Sequence, residues 1–176
     1  MRLGKRPLQL NRLLLTGLVV AAAGAAGLLL WPFISLLEIV DAGSGRIVFC
    51  SRVKPGEEVV LSFVHSVNRR PVYDTLRTEA DHLVIVKSRF DSFGAGMPES
   101  STSEGTLTVA SDGWLEWVVN RPVPDVTVRV GRVANHTLHL KGREIRLSNL
   151  SEPGGALTVR VRKVRMLDLL KGRCTP

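Results

Sequence analysis

His65 ends the run Val59-Val60-Leu61-Ser62-Phe63-Val64, and an imidazole in that place can serve as a base, a proton carrier or a buried hydrogen-bonding group. Side chains alternate along a strand, so His65 shares a face with Val59, Leu61 and Phe63 and is directed to the interior or to the mouth of a pocket. A buried imidazole needs a partner. Asp74 is the expected one, provided that residues 72–78 pair back on this strand across the turn at 68–71. Two readings stay open, a structural histidine and a binding-site histidine. Ser66 adds no nucleophile to it, because neighbouring strand residues face opposite sides.

The second chemical feature is Phe90-Asp91-Ser92-Phe93-Gly94-Ala95-Gly96-Met97-Pro98. Gly94 and Gly96 permit positive φ or a close approach by another group, and Pro98 stiffens the exit. Such a loop can form a nest of amides that holds an anion. It can equally be a connection that packs Phe90, Phe93 and Met97 into the core. The glycine spacing fits neither the dinucleotide nor the P-loop pattern.

Other chemistries find less support. Gly-x-Ser-x-Gly is absent, so no catalytic residues are assigned and no enzyme activity is expected. His136 and His139 are three apart, which on a strand puts them on opposite faces, and neither Cys-x-x-Cys nor His-Glu-x-x-His occurs; no metal and no cofactor are expected.

The elements that must position these residues read as strands. Leu37 and Ile39 against Glu38 and Asp41 suggest a first strand with one dry face, and Gly43-Ser44-Gly45 turns the chain into Ile47 and Phe49. Lys54-Pro55-Gly56 leads into Val59. Further strands are predicted at 72–78, 83–90, 107–110, 114–119, 126–130, 138–140, 145–147 and 157–161, with a short C-terminal helix at 165–170. Asn120-Arg121-Pro122-Val123-Pro124 reads as a stiff connector exposing an arginine. Short, closely spaced strands without interleaved helices predict an all-β fold, an antiparallel β-sandwich or partly closed barrel, preceded by one N-terminal transmembrane helix.

That helix is expected at 11–31. Residues 13–37 are 25 consecutive positions without a charge, enough to cross about 30 Å of hydrocarbon at about 1.5 Å per residue. Arg2, Lys5, Arg6 and Arg12 precede the run with no acid among them, which places the N-terminus inside and everything downstream outside the cytoplasmic membrane. A cleaved signal ending near Ala23-Gly24-Ala25-Ala26 is the competing reading; it would leave a greasy mature end, and a signal's apolar region is shorter. The division expected is a basic cytoplasmic tail (1–12), a membrane anchor (13–34), an exported β domain (35–164) and a basic tail (165–176).

The net charge of +8 is half accounted for by that topology signal. The other basic residues are scattered among strands with few aromatics, so nucleic acid is not an expected partner. Cys50 and Cys174 are the only cysteines. An oxidising location permits a bridge, but their separation does not show that they meet; Cys50 is expected as a small buried strand residue and Cys174 as a tail thiol.

Taken in order, His65-Ser66-Val67 with Pro71 and Asp74, the segment 90–98, Asp112-Gly113-Trp114, Asn120-Arg121-Pro122 and Arg129-Val130-Gly131 resemble the bacterial proteins grouped as domain of unknown function 1850. The resemblance runs from about residue 37 to 161. It implies no catalytic residues. It implies companionship with TAXI-type TRAP transporters, importers with an exported solute-binding protein and a membrane permease. The expected function is therefore a non-catalytic, membrane-anchored accessory protein of solute uptake, with the permease or its solute-binding protein as partner. The binding residues expected are His65, Ser66, Asp74, Phe93, Gly94, Gly96 and Pro98. The alternatives are a stand-alone small-ligand-binding domain and, third, a hydrolase.

Overall fold

The computed structural model describes residues 7–172 and 174, with the side chains at 7–11 and 28 outside the description. The basic residues Arg2, Lys5 and Arg6, and tail residues 173, 175 and 176, lie outside the described residues. The rest forms two compact units, one made of two helices and the other of residues 35–163 with Cys174.

The helical unit contains α1 (Pro7–Leu30) and α2 (Met166–Leu170). Pro7 opens α1 where its missing N–H costs nothing, and Pro32 follows the end, where a helix cannot continue. Among the described residues no helix is long and apolar enough to cross a membrane; the longest run of described side chains in α1 is 12–27. In α2, Asp168 accepts from the Arg165 amide at 3.0 Å and closes the first turn.

The other unit is a sandwich of two antiparallel sheets and not a closed barrel. The smaller sheet has the order β2 (Ile47–Val53), β1 (Ile34–Asp41), β11 (Ala156–Val164), β8 (Asp125–Arg129). The larger has the order β10 (Arg143–Arg146), β9 (Thr137–Leu140), β3 (Glu58–Val64), β4 (Pro71–Thr78), β5 (Leu83–Phe90), β7 (Leu115–Val123), β6 (Thr106–Val109). Alternate residues of both sheets meet between them: Leu37, Ile39, Leu157 and Val159 from one side, Val59, Leu61, Leu76 and Leu138 from the other. Burying each such side chain contributes about 1.5–3 kcal/mol, which is why the period-two pattern specifies the faces.

Three expectations are corrected. The first concerns β1, which is dry on both faces: Leu36, Glu38 and Val40 are as buried as Leu37 and Ile39. It is an interior strand, and Glu38, fully buried, is held by Arg160 Nε and Nη2 of β11, each at 3.0 Å. The second is Cys50, which is bonded to Cys174 across a Cα separation of 5.6 Å; neither is a free thiol. Cys50 is opposite Glu38 in the β1–β2 register, so the bridge pins the chain's end to the smaller sheet. The third is the expected connector at 120–124. Residues up to Val123 belong to β7, where Arg121 and Pro122 pair with Ile85 and Val84. A bulge near Ile85 and a left-handed Asn120 (φ 49°) absorb the proline and leave Arg121 exposed, as expected.

Candidate functional site

The β3–β4 connection is a tight turn. The His65 amide donates to Arg70 O at 2.9 Å, the Arg69 amide to His65 O at 3.0 Å, and Arg69 takes the left-handed conformation (φ 58°). Asn68 joins this turn to the loop at 91–98. Its Oδ1 accepts from the Arg70 amide (3.1 Å), while Nδ2 donates to the carbonyls of Ser92 (3.2 Å) and Phe93 (3.1 Å). An Arg70–Asp91 ion pair ties the base of the loop, and the guanidinium's hydrogen bond holds the Asp91 carboxyl below its usual range.

His65 completes the junction. Its Nδ1 accepts from the Val67 amide at 3.3 Å, which leaves Nε2 to carry the proton that meets Ala95 O at 3.3 Å. Both ring nitrogens are thus used to fasten two backbone segments. Gly94 fits between the two side chains: a Cβ there would stand 2.8 Å from Asn68 Nδ2 and 3.0 Å from His65 Cε1. Its glycine is required by close approach. Gly96 is required by conformation instead, at φ 82° in the turn that the Met97 amide closes on Gly94 O (3.0 Å). That amide is consequently unavailable to an anion. Phe90 is fully buried, whereas Phe93, edge-on to it at 6.1 Å, stays 45% exposed.

His65, Phe93, Gly94 and Gly96 are therefore brought together. Ser66 is exposed in the turn and makes no side-chain hydrogen bond among the described residues; Pro98 is half-buried at the loop's exit. Asp74 is elsewhere, and its expected pairing with His65 is not made. β4 does pair back on β3, but the register sets Asp74 opposite Leu61, four residues before His65 and so about 13 Å along the strand.

Asp74 instead lies in a cross-strand row with Leu61, Ser88 and Trp117 on the inner face. Ser88 Oγ donates to its Oδ1 at 2.6 Å. Burial pushes the Asp74 carboxyl up, and the serine's hydrogen bond opposes this. The residue lines a cavity of about 260 Å³ with Leu61, Leu76, Ile85, Val119 and Val126 as apolar walls, Trp117 beside it and Arg121 at the rim. Ser88 and Trp117 carried no signal in the sequence, because what selects them is the register of β4, β5 and β7.

The outer face of the larger sheet holds a second polar set that sequence reasoning missed. Ser62 Oγ is 2.8 Å from His139 Nε2, and His139 Nδ1 is 3.7 Å from Glu144 Oε1. The order resembles a nucleophile, a base and an orienting acid. Ser62, however, sits inside β3 between β4 and β9, where backbone amides are spent in the ladders, and the outer distance exceeds a hydrogen bond. Farther across this face, Arg89 stacks on Trp114 at 5.0 Å and pairs with Asp112, which also accepts from the Trp114 amide at 3.3 Å. Asp112-Gly113-Trp114 is thus a turn, with Gly113 at φ 84°.

No curated protein and no solved structure matches the chain. A family model described as a domain of unknown function (DUF1850) matches residues 59–147, from β3 to the end of β10 and the residue beyond, a segment that includes the turn, the loop and Asp74. That segment is just over half of the chain, and the chain belongs to the DUF1850 family.

Proposed function

We propose that the chain is a membrane-anchored, extracytoplasmic accessory protein that assists solute uptake without performing chemistry. It docks through the 93–98 loop on a TAXI-type TRAP permease or on its solute-binding protein. The observation that carries docking is the His65–Asn68–Gly94 junction, which fastens the loop in one conformation while leaving Phe93 exposed. A preordered loop with an exposed aromatic ring loses little entropy on association and supplies a contact of the kind enriched at interfaces.

The address has separate support. A Cys50–Cys174 bridge persists in an oxidising compartment. The 24 residues of α1 rise about 36 Å, more than the about 30 Å of a bilayer's hydrocarbon, and carry one charged residue, Arg12, near the basic end. The class of transporter rests on what the family resemblance implies.

Affinity purification of the full chain, in mild non-ionic detergent with permease and solute-binding protein co-expressed, tests the reading. One of them is expected to co-purify with the native chain and to be lost with Gly94→Ala, which crowds the junction. Retention of neither by the native chain sinks it. Covalent capture of Ser62 by a fluorophosphonate would move the function to hydrolysis against the geometry of the Ser62–His139–Glu144 set.

A further inference from the structure

We infer that the Asp74 cavity is a binding site for a small organic ammonium ion. Its walls come from β3, β4, β5 and β7 of the larger sheet and from Val126 on β8, the edge strand of the smaller one. The cavity therefore opens at a seam of the sandwich rather than inside its core. Most of the lining is apolar. A carboxylate on such a wall is costly unless something answers it, and here the answer is a single serine hydroxyl. Neither Asp74 nor Arg121 takes part in an ion pair among the described residues.

The chemistry selects the sign of the ligand. A bound cation favours the ionised form of Asp74, which offers only acceptors, most of them unused by Ser88, so the group that fits this form must bring donors. Trp117 stands two strands from Asp74 in the same row, past Ser88, and lines the same cavity, and the face of an indole attracts cations. That ring is preset: Gly105 packs so closely that a Cβ there would be 2.8 Å from the indole carbons and 2.7 Å from Val118 O. A carboxylate would meet Asp74 acceptor to acceptor. Arg121 is exposed at the rim, where water screens its charge and weakens its repulsion of a cation. Leu61, Leu76 and Ile85 would cover the aliphatic part of an alkylamine, and about 260 Å³ suits a molecule of a few carbons.

The test uses the full chain in non-ionic detergent at neutral pH, titrated calorimetrically with pentylammonium, pentanoate and pentan-1-ol in turn. Pentylammonium is expected to bind about tenfold or more tightly than either of the others and to raise the melting temperature. Asp74→Asn, which keeps an acceptor for Ser88, is expected to lose about tenfold or more of that affinity. Val126→Phe, which adds bulk to the cavity wall and leaves the carboxyl intact, serves if the asparagine variant does not fold, and is expected to abolish binding. Equal binding of pentanoate or pentanol, no heat with any probe at millimolar concentration, or undiminished binding by either variant overturns the proposal. The site is independent of the 93–98 loop, so Gly94→Ala leaves this readout unchanged and the two proposals fail separately.

Discussion

At the residue scale the two glycines of the 91–98 loop have different causes. Gly96 answers to its own backbone, while Gly94 answers to Asn68 and His65, which stand 26 and 29 positions earlier in the chain. Asp74 shows how far one carboxyl can report on its surroundings. Because burial raises its proton affinity in the folded chain, the native state holds more protons than the unfolded one, and stability falls as pH rises from the ordinary aspartate range of about 3.9 upward. The sign is opposite for Asp91 and Asp112, whose lowered values give stability that is lost on acidification. Comparing urea midpoints of the native chain and Asp74→Asn from pH 4 to 8 isolates the first contribution. The variant's relative stability is expected to increase with pH; a difference flat across the range means that Asp74 is not desolvated.

At the element scale the smaller sheet depends on bonds formed late in the chain. β11 supplies Arg160 to Glu38 of β1, and Cys174 reaches β2 through Cys50. The bridge closes a loop of 124 residues, so it removes much unfolded-state entropy; typical contributions are about 2–4 kcal/mol. Cys50→Ser together with Cys174→Ser is expected to lower the denaturation midpoint accordingly, and the purified native chain is expected to resist thiol alkylation until reduced. Ready alkylation of both cysteines in unreduced protein would mean that the bridge does not form. Strand positions were legible because alternation such as Leu157, Val159, Val161 records which face is dry. β1 misled that logic, since Glu38 has the pattern of an outward residue and is buried by its partner instead.

At the scale of the whole molecule the proposed topology makes one strong demand, that α1 remain in the bilayer while β1, which starts at Ile34, stays in the folded domain. Carbonate-washed membranes are expected to retain a chain that still begins at Met1, with a periplasmic reporter fused after residue 176 active outside the cytoplasm. A soluble chain starting near Gly27 would mean that the segment is a cleaved signal, and a reporter active only in the cytosol would reverse the orientation. Anchoring also bears on docking: a domain held near the membrane meets a permease in two dimensions, which raises its effective concentration without any new contact.

Much was set locally. Hydrophobic period, turn glycines and the charge-free stretch act over a few residues, and from them came the helix, the strands and the mostly-β class. Register acts over the whole chain. It put Asp74 opposite Leu61 rather than beside His65, gathered Ser88 and Trp117 around it, and set Ser62 against His139. A strand's own residues state which side faces the core, but how far each strand slides along its neighbour is decided by bulges, turns and packing that no single segment contains.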